Sequence, residues 1–185
     1  VLVAGKGGLP RSPRESLGRG LALVPEDRKG QGLILDLAVK DYMSLASLRR
    51  DSKGPFLNTS KEEELVAEMT SALSVKTPGS WQLARFLSGG NQQKIVLAKW
   101  LERNAEVLLF DEPTRGIDVG AKYEIYQLMN SLAAQGKAIL MISSELPEVL
   151  GMSDRIVVMQ EGQVKGEIAD VPNATQQDIM KIAVG

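Results

Sequence analysis

Four short apolar runs punctuate the chain, at residues 21–24, 107–110, 138–142 and 156–159, each bounded by polar or turn residues. None alternates apolar with polar positions. Strands that are apolar on both faces suit a parallel sheet covered by helices, so all four are assigned to such a sheet. Between the second and third runs, residues 123–134 place Ile125, Leu128, Met129 and Leu132 at helical spacing. This reads as a right-handed strand-helix-strand crossover. Ser12-Pro13-Arg14-Glu15 and Ser60-Lys61-Glu62-Glu63 each set a hydroxyl three residues ahead of a Glu, which predicts two helix amino ends.

Residues 38–48 and 61–73 form a mostly helical middle, parted by a polar linker at 49–58 that contains Lys53-Gly54-Pro55. After the fourth run, Glu161-Gly162 predicts a hairpin turn joining that run to a strand at 164–168. The expected organisation is one α/β domain. Its sheet core takes residues 1–37 and 104–168, a helical subdomain is inserted at about 38–103, and a short terminal helix follows at 175–182.

Composition narrows the functions available to such a domain. The 185 residues carry 22 Lys plus Arg against 23 Asp plus Glu, a net charge of -1. That balance argues against nucleic acid as a partner. There is no Cys and no His. Disulfides, thiolate or imidazole metal sites and histidine acid/base chemistry are therefore excluded from this chain. No apolar run approaches the roughly 18–20 residues that span a bilayer, so a membrane link is expected to run through a partner. The chain opens on Val1-Leu2-Val3-Ala4 without a Met, and its natural start is expected upstream.

Two segments carry candidate chemistry. The first is the apolar run 107–110 ending in Asp111 and Glu112, then Pro113-Thr114. In open α/β sheets ligands bind at the carboxyl ends of strands. There one carboxylate can hold Mg²⁺ and the next can orient or deprotonate an attacking water. A strand-Asp-Glu pair also describes a plain turn. The second segment is Leu87-Ser88-Gly89-Gly90-Asn91-Gln92-Gln93-Lys94, leading into an apolar helical run from Ile95 to Leu101. A capping Ser and paired glycines at a helix amino end let backbone amides approach a phosphate. Taken alone, they describe an ordinary capped helix after a glycine turn.

Taken in order, the two segments followed by Gly116-Ile117-Asp118 resemble the ATP-binding cassette family. Val24-Pro25-Glu26-Asp27-Arg28-Lys29 and Ser143-Ser144-Glu145-Leu146-Pro147-Glu148 narrow this to the carboxyl-terminal ATPase half of bacterial ribose, xylose and galactose importers. The resemblance implies a P-loop NTPase-like fold, a mostly parallel sheet flanked by helices with an inserted helical subdomain. It implies ATP and Mg²⁺ as cofactors and uptake of a monosaccharide as the function. Nucleoside or other small-metabolite import, or less directly a non-transport cassette ATPase, stays open.

The same resemblance makes residues 87–94 the signature motif, in which Ser88, Gly89, Gly90, Asn91 and Gln92 bind ATP held by a second ATPase half. It makes Asp111 the Mg²⁺ ligand, Glu112 the catalytic carboxylate and Asp118 a D-loop interface residue. Glu26 falls where the family's Q-loop glutamine stands, and Ser144 falls where its switch histidine stands. Implied partners are membrane permease subunits and, indirectly, an extracytoplasmic sugar-binding protein, with the ATPase peripheral on the cytoplasmic face of the inner membrane. The phosphate loop, Gly, any four residues, Gly-Lys, then Ser or Thr, does not occur in these residues. Its strand-loop-helix is expected before residues 1–10, and without it the 185-residue chain is expected to be inactive.

Overall fold

The computed structural model describes residues 2–3, 6–46, 48, 52–53, 56–102 and 105–184, which fall into two compact units, Val1–Ile142 and Ser143–Gly185. Of the expected linker at 49–58, Arg49, Arg50, Asp51, Gly54 and Pro55 lie outside the described residues.

The first unit opens with a two-residue antiparallel pairing of β1 (Leu2–Val3) with β2 (Lys6–Gly7). Helix α1 (Pro13–Gly18) then starts at Ser12, whose Oγ accepts the Glu15 amide at 3.2 Å. The reciprocal half of that cap is displaced by one residue, because Glu15 Oε2 accepts the Arg11 amide at 2.8 Å.

Strand β3 (Leu21–Val24) feeds a π-helical turn, Arg28–Gly32, and α2 (Val39–Ser44). A second short pairing joins β4 (Ser52–Lys53) to β5 (Phe56–Leu57) ahead of α3 (Thr59–Ala72). That helix is capped by Asn58, whose Oδ1 accepts the Lys61 amide at 3.2 Å, and not by Ser60 as the sequence pattern suggests. Asn caps as well as Ser, and the earlier cap draws Thr59 and Ser60 into the helix.

The remaining elements of this unit are α4 (Gly89–Glu102), β6 (Val107–Asp111), α5 (Val119–Ala134) and β7 (Ala138–Ile142). The helical insertion closes on itself at its base. Val39 donates to the Gln82 carbonyl at 2.9 Å, and Ala84 donates to the Leu37 carbonyl at 3.0 Å. Within it α2 packs on α3 and α4. Helix α4 buries Ile95, Val96, Leu97 and Ala98 in succession, apolar around a full turn as an enclosed helix must be.

Strands β3, β6 and β7 form a parallel sheet in that spatial order, with Ala22, Leu108 and Ile139 in register and Val24, Phe110 and Met141 likewise. On this face Ala22, Val24, Leu108 and Phe110 are buried. The opposite face carries Leu23, Leu109 and Leu140 in register, and it is open: Leu23 is 47% exposed, Leu140 55% and Ile142 52%. Beside it lies a cavity of about 640 Å³ lined in part by Leu23, Leu109, Val96, Lys99 and Trp100. The Lys99 ammonium sits 4.6 Å from the Tyr42 ring centroid and 4.5 Å from that of Trp100. Burial pushes its pKa down to about 8.

The second unit holds α6 (Leu146–Met152), β8 (Ile156–Gln160), β9 (Gln163–Ile168) and α7 (Gln176–Val184). Ile156, Val158, Val171 and Ile179 form its core. Among the described residues β8, the fourth apolar run, pairs antiparallel with β9 and not with the parallel sheet. The turn explains this. Glu161 and Gly162 both take positive φ, at 50° and 76°, the geometry of a two-residue hairpin loop. Val157 and Met159 are left 44% and 61% exposed on the other side of the strand.

Candidate functional site

Asp111 ends β6 opposite Ile142 of β7. The ladder runs one residue further, because the Glu112 amide donates to the Ile142 carbonyl at 2.9 Å, and there the chain turns sharply. Glu112 has a φ of +44°, a left-handed conformation that a glutamate adopts only at a cost of about 1–3 kcal/mol and that clusters at functional sites. Behind it Pro113 and Thr114 are fully buried. The two carboxylates are thus presented at the carboxyl end of a central strand by a strained turn on a packed base.

Asp118 caps α5, its Oδ1 accepting the Ala121 amide at 3.0 Å, and it is exposed beside Val119, which is 84% exposed. An acceptor at a helix amino end satisfies donors that would otherwise lack a partner.

The first turn of α4 is built just as locally. Ser88 Oγ lies 3.5 Å from the Asn91 amide nitrogen and accepts from Asn91 Nδ2 at 2.9 Å, while the Ser88 carbonyl accepts the Gln92 amide at 2.8 Å. Asn91 Oδ1 in turn accepts the Lys76 amide at 2.8 Å, fastening this turn to the segment after α3. Ser88 is exposed and Gly89 half-buried, whereas Gly90 is buried.

The glycines have an intrachain reason to be there. A Cβ added at Gly90 would stand 2.7 Å from the Ala121 Cβ, and one added at Gly89 would stand 2.9 Å from Arg28 Nη2. The side chain of Gln92 turns inward, 3% exposed, and donates to the Ala84 carbonyl at 3.1 Å.

Glu26 is exposed after β3, and its carboxylate pairs with the Arg115 guanidinium. Ser144 is exposed in the second unit, next to Ser143, whose Oγ donates to the buried Glu148 carboxylate at 2.5 Å. Within the first unit, Glu26, the first turn of α4, the 111–118 loop and the start of α5 are therefore joined by direct contacts. Among the described residues no group of three or more His, Cys, Asp or Glu converges as a ready-made metal cluster.

Sequence reasoning missed two features. In sequence Arg28 reads either as a nucleotide or permease contact or as part of a solvated charged loop, yet its Nη1 donates to the Arg115 carbonyl at 2.8 Å and its Nη2 to the Gly116 carbonyl at 3.1 Å. Burial lowers its pKa. The other is a charge cluster. Lys94, its side chain 4% exposed, reaches Glu124 at 2.8 Å and the Ser74 carbonyl at 3.0 Å, and Lys76 reaches the same carboxylate at 2.9 Å. Those two ammonium hydrogen bonds hold the Glu124 carboxyl down at about 2. No spacing rule could have found either contact, since the partners come from distant segments.

Comparison with known proteins places this arrangement. The chain is 52% identical over 174 residues to a putative ribose/galactose/methyl galactoside import ATP-binding protein of Rhizobium etli, a match covering 94% of this chain and 33% of that protein. It is 47% identical over all 185 residues to the ribose import ATP-binding protein RbsA of Bacillus subtilis, covering 37% of it. The chain thus spans about a third of the length of the curated relatives it matches. Its fold resembles the crystal structure of the ADP conformation of MJ1267, an ATP-binding cassette of an ABC transporter. The TM-score is 0.73 at 21% identity, covering 95% of this chain and 72% of that one. The ABC transporter family profile matches residues 9–115, more than half of the chain. The chain belongs to the ABC transporter family.

Proposed function

We propose that this chain is part of the carboxyl-terminal ATPase half of a monosaccharide importer, and that its main contribution is to close the tip of α4 on ATP held by a facing ATPase half. The observation that carries the reading is the tip itself. Ser88 is exposed and Gly89 half-exposed at the start of a 14-residue helix, where backbone N–H groups without intrahelical partners and the helix dipole favour an anion.

The chain's own acidic pair has a complementary role. Mg²⁺ keeps several waters and takes one or two carboxylates beside the phosphates, and Asp111 at the end of β6 suits that donor set. When bound, the ion would neutralise charge building on the phosphate oxygens. Glu112 would orient the attacking water. Two substitutions weaken this second site. Glu26 stands at the Q-loop position as an acid paired to Arg115, and Ser144 stands at the switch position without the imidazole that would stabilise phosphoryl charge. The open sheet face at Leu23, Leu140 and Ile142 supports a further strand-loop-helix lying on it, with the phosphate loop that this sequence lacks.

The relatives' printed names, ribose and galactose import ATP-binding proteins, support a monosaccharide as cargo. On this reading the partners are membrane permease subunits and, through them, an extracytoplasmic sugar-binding protein. The ATPase lies on the cytoplasmic face of the inner membrane, and no helix among the described residues is long and apolar enough to cross a bilayer.

The test is ATP turnover by the full-length protein carrying Ser88→Arg, which sets a bulky side chain in front of the α4 tip. A fall of about a hundredfold or more is expected, the scale of losing preorganised donors to a reacting anion. Unchanged turnover overturns the proposal. The 185-residue chain alone is expected to hydrolyse no ATP, and turnover abolished there by Glu112→Gln contradicts that expectation.

A further inference from the structure

The segment after β3 does more than connect. Asp27 caps the π-helical turn by accepting the Gly30 amide at 2.9 Å, which aims Arg28 across the unit. Its guanidinium spans two successive carbonyls, those of Arg115 and Gly116, in the loop that follows Glu112. The same Nη2 lies against the first glycine of α4, where an added Cβ would stand 2.9 Å away and only 3.4 Å from the Gly116 carbonyl oxygen. Beside this contact, the Glu26 carboxylate holds the Arg115 side chain. Two neighbouring residues of one loop thus grip the main chain and the side chain of a second loop, and the grip ends at the helix tip.

The cost of this placement is visible. Arg28 Nε is buried without a hydrogen-bond partner among the described residues, although a charged donor taken from water is expensive to leave unpaired. A merely solvating arginine would turn that group outward. Nor would lysine do the same work, since one ammonium on a flexible stem cannot reproduce a planar fork across two carbonyls.

We infer that Arg28 is a positioning residue that locks the first turn of α4 to the loop after Glu112, so that the Ser88–Gly89 amides and the Glu112 carboxylate move as one body. The inference rests on the reading of the α4 tip as a phosphate contact, and it assigns Arg28 a role through the backbone of the 115–116 loop and not through nucleotide. Loss of the lock leaves ATP affinity in place and lets the tip drift. Displacements of about an ångström can cost up to roughly a hundredfold in rate.

The experiment measures ATP turnover by the full-length protein with Arg28→Ala, Arg28→Lys and Gly89→Ala, and with Gly89→Ala combined with Arg28→Ala. Arg28→Ala is expected to lower kcat about tenfold or more with KM for ATP changed less than about twofold, the signature of an interaction that matters beyond ground-state binding. Arg28→Lys should recover only part of the loss. Gly89→Ala, whose methyl meets the guanidinium, should cost clearly less once Arg28 is Ala, a coupling that general destabilisation does not produce.

Native kcat in Arg28→Lys, or an equal cost of Gly89→Ala in both backgrounds, overturns the inference. Should Arg28→Ala fail to fold, Arg28→Lys decides: a kcat loss at unchanged KM supports the lock. Ser88→Arg is run in parallel. Turnover lost there but native in Arg28→Ala overturns the Arg28 role alone, while turnover intact in Ser88→Arg overturns the phosphate reading and this inference with it.

Discussion

Gly90 of α4 and Ala121 of α5 meet so closely that a Cβ on the glycine would stand 2.7 Å from the alanine's own Cβ. The second glycine of the motif is therefore required by the chain's own packing, whatever it offers a ligand. Gly90→Ala is expected to destabilise the fold by about 1–3 kcal/mol, the usual range for overpacking a close contact. Ala121→Gly in the same chain should return part of that loss, less the roughly 1 kcal/mol that glycine costs in a helix. Thermal or urea unfolding of the single and double variants measures the coupling, and additive losses would contradict the contact.

Acid should weaken the joint between α4 and α5. Hydrogen bonds from Lys94 and Lys76 hold the Glu124 carboxyl at about 2, below its usual 4.5, so the unfolded chain binds the proton more readily. The stabilisation is fully present above about pH 4.5 and is lost as pH falls towards 2. Glu124→Gln should flatten this part of the stability profile. At neutral pH it should cost roughly 1–2 kcal/mol, less than a fully enclosed pair because the carboxylate is 38% exposed. Urea unfolding of both proteins from pH 2 to 7 is the check.

Lys99 gives a slope of the same sign for a different reason, since burial disfavours its charged form. Burial lowers its pKa from 10.5 to about 8, so between those values the unfolded chain carries more protons and stability rises with pH. Lys99→Met, which keeps an apolar stem against Tyr42 and Trp100, should remove that rise. Unfolding measurements from pH 7 to 10.5 read it directly.

Much of this was legible in the sequence because parallel strands read as continuous apolar runs, as at β3, β6 and β7, although one face of this sheet is open at Leu23, Leu140 and Ile142. The apolar run at 156–159 did not by itself separate sheet from hairpin, but Glu161-Gly162 pointed to the hairpin that β8 forms with β9. The candidate site was legible as a pattern where its pieces are contiguous, as in Ser88 to Gln92 and in Asp111 with Glu112. Arg28 was not, because its partners are backbone carbonyls, which every residue has. Nor was the preference of α3 for Asn58 over Ser60, two residues of nearly equal capping strength.

The most direct test of the central claim reads the α4 tip itself, by amide hydrogen exchange at Ser88 to Asn91 in the full-length protein. Exchange is compared with Mg²⁺ and either ATP, kept in excess by a regenerating system, or ADP. Slower exchange at Ser88 and Gly89 with ATP than with ADP is expected, because only the triphosphate offers the anion those amides would hold. Equal exchange in the two states, with ATP shown to be bound, would contradict the claim.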